Sequence, residues 1–275
     1  MEKIIPLRLN IGDTIGVVAP SDPIIGEKVE EVMQAKAKVE ADGFKVKFGK
    51  YLFSNTTGYS ATAKEKAEDI NSMFADKQVK MIWCAKGGNN SNSVFEYLDY
   101  ELIKQNPKII CGYSDITSLT NIIAEKTGLV TFSATNFKTI ATDETDFSYK
   151  EAINRFVNGS LDFGMAENDK YETISNEMTL KSFINSNGIV EGELIGGNLF
   201  LTRGLVAGKY SINFENKILF LEELGFESPP QVVSNSLYFL KQNGVFKKIK
   251  GLWLGNYESD TGITLEKILL DVLRR

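Results

Sequence analysis

Residues 108–120 read Lys108-Ile109-Ile110-Cys111-Gly112-Tyr113-Ser114-Asp115-Ile116-Thr117-Ser118-Leu119-Thr120, and the order of residue types in this stretch decides the fold. The apolar run from Ile109 to Cys111 is the pattern of a strand buried on both faces. Gly112 permits a tight turn, Ser114 occupies the corner, and the residues from Asp115 to Lys126 have helical periodicity. A serine at such a corner has its hydroxyl lifted off the sheet edge, and the N–H after it points to where an oxyanion would form. The second glycine of a G-x-S-x-G elbow is absent, since Ile116 stands in its place. Serine and aspartate also cap helices well, so the corner alone does not establish catalysis.

Working outward, Thr14–Ala19 is a continuous apolar strand that ends in Pro20-Ser21-Asp22-Pro23, a loop that cannot continue a ladder. Glu27–Ala41 follows as an amphipathic helix stopped by Asp42-Gly43, and Phe44–Phe48 is the next strand. Thr62 and Glu65 have capping-box spacing at the head of a helix running to Ala75, and Val79–Ala85 is a third buried strand. Apolar strands alternating with helices predict a parallel, doubly wound sheet whose ligands lie beyond the carboxyl ends of its strands. Three loops leave at that edge, after Ala19, after Ala85 and at Ser114. The second, Lys86-Gly87-Gly88-Asn89-Asn90-Ser91-Asn92, lets backbone approach a ligand closely and could supply an oxyanion donor. The plainer reading is a turn before a helix capped by Ser91 or Asn92.

After Phe132 the alternation fades. Residues 136–186 read as a polar connector with an amphipathic patch near Tyr149–Val157, separating an N-terminal unit over 1–135 from a C-terminal unit over 187–275. The second unit opens with Ile189–Leu199, including Gly196-Gly197-Asn198, and continues with a helix over Leu201–Val206. It then has a strand over Lys217–Leu221, a helix over Pro230–Asn243, a strand over Gly251–Gly255 and a helix beginning near Thr264. Glu222 emerges at the end of a buried strand, where a carboxylate is either solvated or orients a catalytic base. Glu223 points to the other face if the strand persists.

Composition narrows the function. The net charge of −5 argues against an electrostatic nucleic-acid binder. No apolar run approaches spanning length and the N-terminus lacks an apolar leader core, so a cytoplasmic location is expected. Cys84 and Cys111 lie in strand-like apolar runs and read as small hydrophobes rather than a disulfide. The 275 residues contain no histidine, which excludes imidazole chemistry from these residues and argues against His-based metal sites. No G-x-G-x-x-G or P-loop pattern opens a helix, which weakens a cofactor-binding reading of the sheet.

Five ordered blocks resemble the LD-carboxypeptidase family of serine peptidases, which includes muramoyltetrapeptide carboxypeptidases and microcin C immunity hydrolases. They are Gly12–Ser21, Lys86–Ile103, Gly112–Leu119, Gly192–Gly208 and Lys217–Leu224. The wording of Asn90–Ile103 is nearer the microcin-immunity branch. The resemblance implies a flavodoxin-like N-terminal domain and a smaller, β-rich C-terminal domain, with Ser114 as nucleophile and Glu222 as triad acid. It places the oxyanion hole at the amides of Asp115 and Gly88. Gly87, Asn89, Gly196, Gly197 and Asn198 become candidates for substrate contact. It further implies no cofactor and no metal, a small peptide or peptidyl-nucleotide substrate, and a homodimer.

Four departures accompany the resemblance. The family histidine belongs to a Gly-His motif beyond the final helix, and this chain stops at Leu273-Arg274-Arg275. Lys86 replaces an arginine, Ser133-Ala134-Thr135 replaces a Gly-Pro-containing turn, and Val232–Leu237 lacks an expected arginine. The first departure predicts severely impaired turnover and a second domain with exposed apolar surface and reduced stability. A Ser–Lys dyad through Lys86, or more distantly Lys138, is one escape. A homologue that binds ligand without turnover is the alternative of a different class.

Overall fold

The computed structural model describes residues 2–159, 190–225, 228–255, 257 and 259–273. Its first half is a run of strand–helix units: β1 (Thr14–Val18), α1 (Glu27–Ala41), β2 (Lys45–Phe48), α2 (Ala63–Ala75), β3 (Val79–Cys84), α3 (Tyr100–Gln105), β4 (Ile109–Gly112), α4 (Ile116–Thr127) and β5 (Phe132–Ser133). The five strands form one parallel sheet in the order β2-β1-β3-β4-β5, the doubly wound arrangement expected from the alternation. Side chains alternate across it. Ile82 and Cys84 of β3 join one core, while Met81 and Trp83 join the other. Both cysteines are free and buried.

Local chemistry sets the helix ends. Thr62 accepts from the Glu65 amide while the Glu65 carboxylate accepts from the Thr62 amide, so the capping box starts α2 as its spacing foretold. At the other end of α2, the Lys108 ammonium, buried beneath the sheet, donates to the carbonyls of Met73 and Asp76. There it meets the negative end of the helix dipole.

Residues 136–159, the described part of the expected connector, include α5 (Thr139–Thr142), α6 (Phe147–Ile153) and a π-helical turn over Asn154–Asn158. They belong to the core of Met81 and Trp83. Phe137, Ile140, Tyr149, Ala152 and Phe156 are buried there, with the rings of Phe137, Tyr149 and Phe156 arranged around Trp83. Residues 160–189, which complete the connector and open the second region, lie outside the described residues, as do Arg274 and Arg275.

The second half contains β6 (Leu194–Asn198), α7 (Leu199–Arg203), β7 (Ile218–Glu222), α8 (Pro230–Gln242), α9 (Val245–Lys248), β8 (Gly251–Leu254) and α10 (Leu265–Leu273). Its three strands form a smaller parallel sheet in the order β6-β7-β8. One continuous hydrophobic cluster joins the two halves, because Leu119, Ile122 and Ile123 of α4 pack in the same core as Leu199, Leu219, Leu221 and Val233. Among the described residues no helix is long and apolar enough to cross a membrane.

Candidate active site

Parallel strands deliver their loops to one edge, and here the loops after β1, β3 and β4 interlock. Ser114 sits at the β4–α4 corner with φ +63°, a left-handed backbone that a serine adopts only where its surroundings over-determine it. Gly112 before it leaves no room for a side chain, since a Cβ there would lie 2.8 Å from both Asn136 Oδ1 and Ile116 Cγ2. Asn136 also accepts the Tyr113 amide at 3.2 Å, which fixes the approach to the corner.

The glycine loop presses directly on the serine. A Cβ on Gly87 would stand 3.0 Å from Ser114 Cβ and 3.3 Å from its Oγ, so backbone reaches the hydroxyl where a side chain would block it. Gly88 has φ +129°, and a side chain there would overlap the Asp22 carboxylate. The amides of Gly88 and Asp115 donate to no protein acceptor among the described residues. Free, preorganised amides beside a nucleophile are what a developing oxyanion requires.

The remaining loop contacts hold this arrangement. The Asp115 carboxylate is buried, accepts the Ser91 amide at 2.8 Å and takes a short hydrogen bond from the Ser21 hydroxyl. Ser91 Oγ donates to the Asp115 carbonyl at 2.6 Å, and Ser21 Oγ also reaches the Asn89 carbonyl at 3.2 Å. Asp22 pairs with Lys86 at 2.6 Å and accepts the Asn89 amide at 3.0 Å. Burial opposes the charge on Asp22, but the Lys86 ammonium and the Asn89 amide prevail and hold its carboxyl below the ordinary value. Neither Ser91 nor Asn92 caps the short 3₁₀ turn over Ser91–Val94. That position belongs to Asn90, whose backbone is left-handed at φ +61°, while Ser91 is drawn inward to Asp115.

Lys86 and Lys138, the two candidate lysine bases, are both committed to carboxylates. The first holds Asp22, and the second holds Glu31 at 2.7 Å.

The second sheet docks on the helix that Ser114 begins. Thr117 Oγ1 accepts the Asn198 amide at 3.1 Å, and a Cβ on Gly197 would lie 2.7 Å from that same oxygen. Asn121 Nδ2 donates to the Gly196 carbonyl at 2.8 Å, and Asn121 Oδ1 accepts the Gly196 amide at 3.1 Å. The close approach of Gly197 and the backbone hydrogen bonds of Gly196 and Asn198 therefore dock β6 on α4, while Gly196 closely approaches the Phe220 carbonyl of β7. The Asn198 side chain caps Leu201 and donates to Glu223 at 3.0 Å. Glu222 is the β7 partner of Asn198, the residue whose amide meets Thr117 in the first turn of α4. Burial, with the Glu223 charge beside it, raises the Glu222 carboxyl above its ordinary value. That carboxylate accepts no hydrogen bond among the described residues, whereas Glu223 is buried and partnered. A groove of about 960 Å³ between α8 and α10, lined by Tyr238, Ile263 and Lys267 among others, holds none of the residues selected from sequence.

Sequence reading placed the loops but not their internal clasps. Nothing in the local sequence sets Ser21, Asp22, Asn136 or Lys66 apart as a site residue, with one exception. Lys66 shares an i, i+4, i+7 stripe with Ile70 and Met73, an apolar face on which a lysine is out of place.

A flavodoxin-like sheet with a strained serine at a strand–helix corner, backed by a second small parallel sheet, defines the structural class. The chain belongs to the LD-carboxypeptidase family: residues 15–134 match the LD-carboxypeptidase N-terminal domain and residues 191–275 the C-terminal domain. A probable murein peptide carboxypeptidase of Bacillus subtilis is 33% identical, over 98% of this chain and 81% of its own length. The microcin C7 self-immunity protein MccF of Escherichia coli is 32% identical, over 91% of this chain and 77% of its own. A structure of MccF in complex with glutamyl sulfamoyl guanosine superposes with a TM-score of 0.82 at 29% identity, covering 98% of this chain and 86% of that one.

Proposed function

We propose that the site performs acyl transfer from an amide bond, with Ser114 as nucleophile, the Gly88 and Asp115 amides as oxyanion donors, and Glu222 as the carboxylate that orients a base. The observation that carries this is the left-handed Ser114 with the Gly87 backbone packed against its hydroxyl. Ser114 Oγ adds to the scissile carbonyl and gives up its proton. The tetrahedral intermediate expels the amine, which takes a proton, and water then hydrolyses the acyl ester. Each oxyanion donor is worth about 3–4 kcal/mol of barrier.

The substrate class follows from the family and from the ligand of MccF: a small peptide with an amide joining L- and D-centres near its C-terminus, or an aminoacyl group on a sulfamoyl nucleoside. The family reading also carries a homodimer and a cytoplasmic location. The base is the missing part, since these residues include no imidazole. Lacking one triad member costs on the order of 10⁴–10⁶ in turnover. A second reading, from a different class, is a homologue that binds such ligands without turnover.

Incubation with an L,D-tetrapeptide and with glutamyl sulfamoyl guanosine, followed by mass spectrometry, separates the two. The hydrolase reading expects slow release of the amine product, abolished in Ser114→Ala while calorimetric binding persists. Binding of equal affinity in both proteins with no product from either supports the second reading.

A further inference from the structure

Three consecutive residues of the glycine loop are each gripped by a different partner. Asn89 is held by Asp22 and Ser21, and Ser91 by Asp115. Asn90, between them, is held by Lys66: the ammonium donates to Asn90 Oδ1 from the first turns of α2. Asn90 is the residue whose left-handed backbone turns the chain from Gly87-Gly88 into the 3₁₀ turn. Lys66 is only 2% exposed, and it occupies a helix position that a leucine or methionine would fill without desolvating a charge. Burial pushes its ammonium below the ordinary lysine range, and the charges of Asp115 and Asp22 oppose that shift. As packing on the buried face of α2, an apolar side chain would serve this position as well. The loop gains a clamp and the buried Asp115 gains a counter-charge.

We propose that Lys66 is a positioning residue for the oxyanion pocket, fixing the Gly87–Asn90 loop through Asn90 and balancing the carboxylate of Asp115 beneath the nucleophile corner. This rests on the acyl-transfer reading of Ser114, so its test needs one measurement that chemistry does not touch. Amide hydrogen exchange of the full chain, read by mass spectrometry, provides it. In Lys66→Met, peptides spanning 86–92 are expected to exchange about tenfold faster than in wild type, while β6, β7 and β8 are unchanged. Lys66→Arg, which keeps a cation, is expected to recover most of the protection. Should Lys66→Met not fold, Asn90→Gly keeps the left-handed backbone accessible, removes the acceptor, and is expected to give the same local acceleration.

The second measurement is the rate at which a fluorophosphonate labels Ser114, set against calorimetric affinity for glutamyl sulfamoyl guanosine. Lys66→Met is expected to slow labelling about tenfold or more and to leave affinity within about threefold, a split that general loss of structure would not produce. Unchanged exchange over 86–92 in a folded variant overturns the proposal, as does labelling at the wild-type rate. A wild type that is never labelled at Ser114 removes the acyl-transfer reading instead, and exchange alone then decides the clamp.

Discussion

Replacing Ser114 with glycine separates two properties that the corner couples. A non-glycine residue in the left-handed region costs on the order of 1–3 kcal/mol, part of which glycine returns to its more flexible unfolded chain. Ser114→Gly is therefore expected to raise stability in urea by about 1 kcal/mol while ending covalent labelling; a variant less stable than wild type would contradict the strained corner. Asp69 offers a second test at this scale. Buried on α2, it accepts the Tyr51 amide at 2.9 Å, and burial lifts its carboxyl from 3.8 to about 6. The folded state thus holds a proton that the unfolded state has lost, so this group makes stability fall as pH rises from 3.8 to about 6. Asp69→Asn removes that slope. Its stability relative to wild type is expected to climb through the window and level off above it, and parallel curves across urea titrations would refute the assignment.

Among elements, the most informative joint is β6 on α4. Thr117→Val keeps the shape and deletes the acceptor of the Asn198 amide, a buried donor whose orphaning costs about 1–3 kcal/mol. Chemical denaturation should register that loss, and a neutral effect would mean that the docking does not depend on this bond. Elements of this kind were legible to different degrees. The helix over Glu27–Ala41 and the capping box of α2 follow from neighbours within one turn, so the sequence states them almost residue by residue. The clasps Ser21–Asp115 and Lys66–Asn90 join residues 94 and 24 positions apart, and no local pattern announces such partners. Residues 136–159 were obscured differently: the amphipathic patch near Tyr149–Val157 was legible, but no local pattern shows that Tyr149 and Phe156 join Phe137 around Trp83.

For the whole molecule, the shared hydrophobic cluster of α4 and the second sheet makes an energetic statement. Halves that share a core unfold together. Leu219→Ala, on the central strand of the second sheet, is expected to cost about 2–5 kcal/mol and to lower a single calorimetric transition. Two resolved transitions, with the mutation moving one of them, would show that the halves are energetically separate. The candidate site has the same cross-molecular character. Ser114 and the glycine loop were readable from the first half alone, but the position of Glu222 is set by the pairing of β6 with β7 and the docking of β6 on α4.

The central claim is that these residues assemble a serine nucleophile and its oxyanion pocket with imidazole as the missing component. The most direct measurement is the intact mass of the protein after fluorophosphonate treatment, with free imidazole titrated into the buffer. The account expects slow labelling without imidazole and an acceleration on the order of 10²-fold with it, the lower end of what a general base contributes. It places the modification on Ser114 and expects none in Ser114→Ala. A folded, ligand-binding protein that stays unmodified at every imidazole concentration would contradict it.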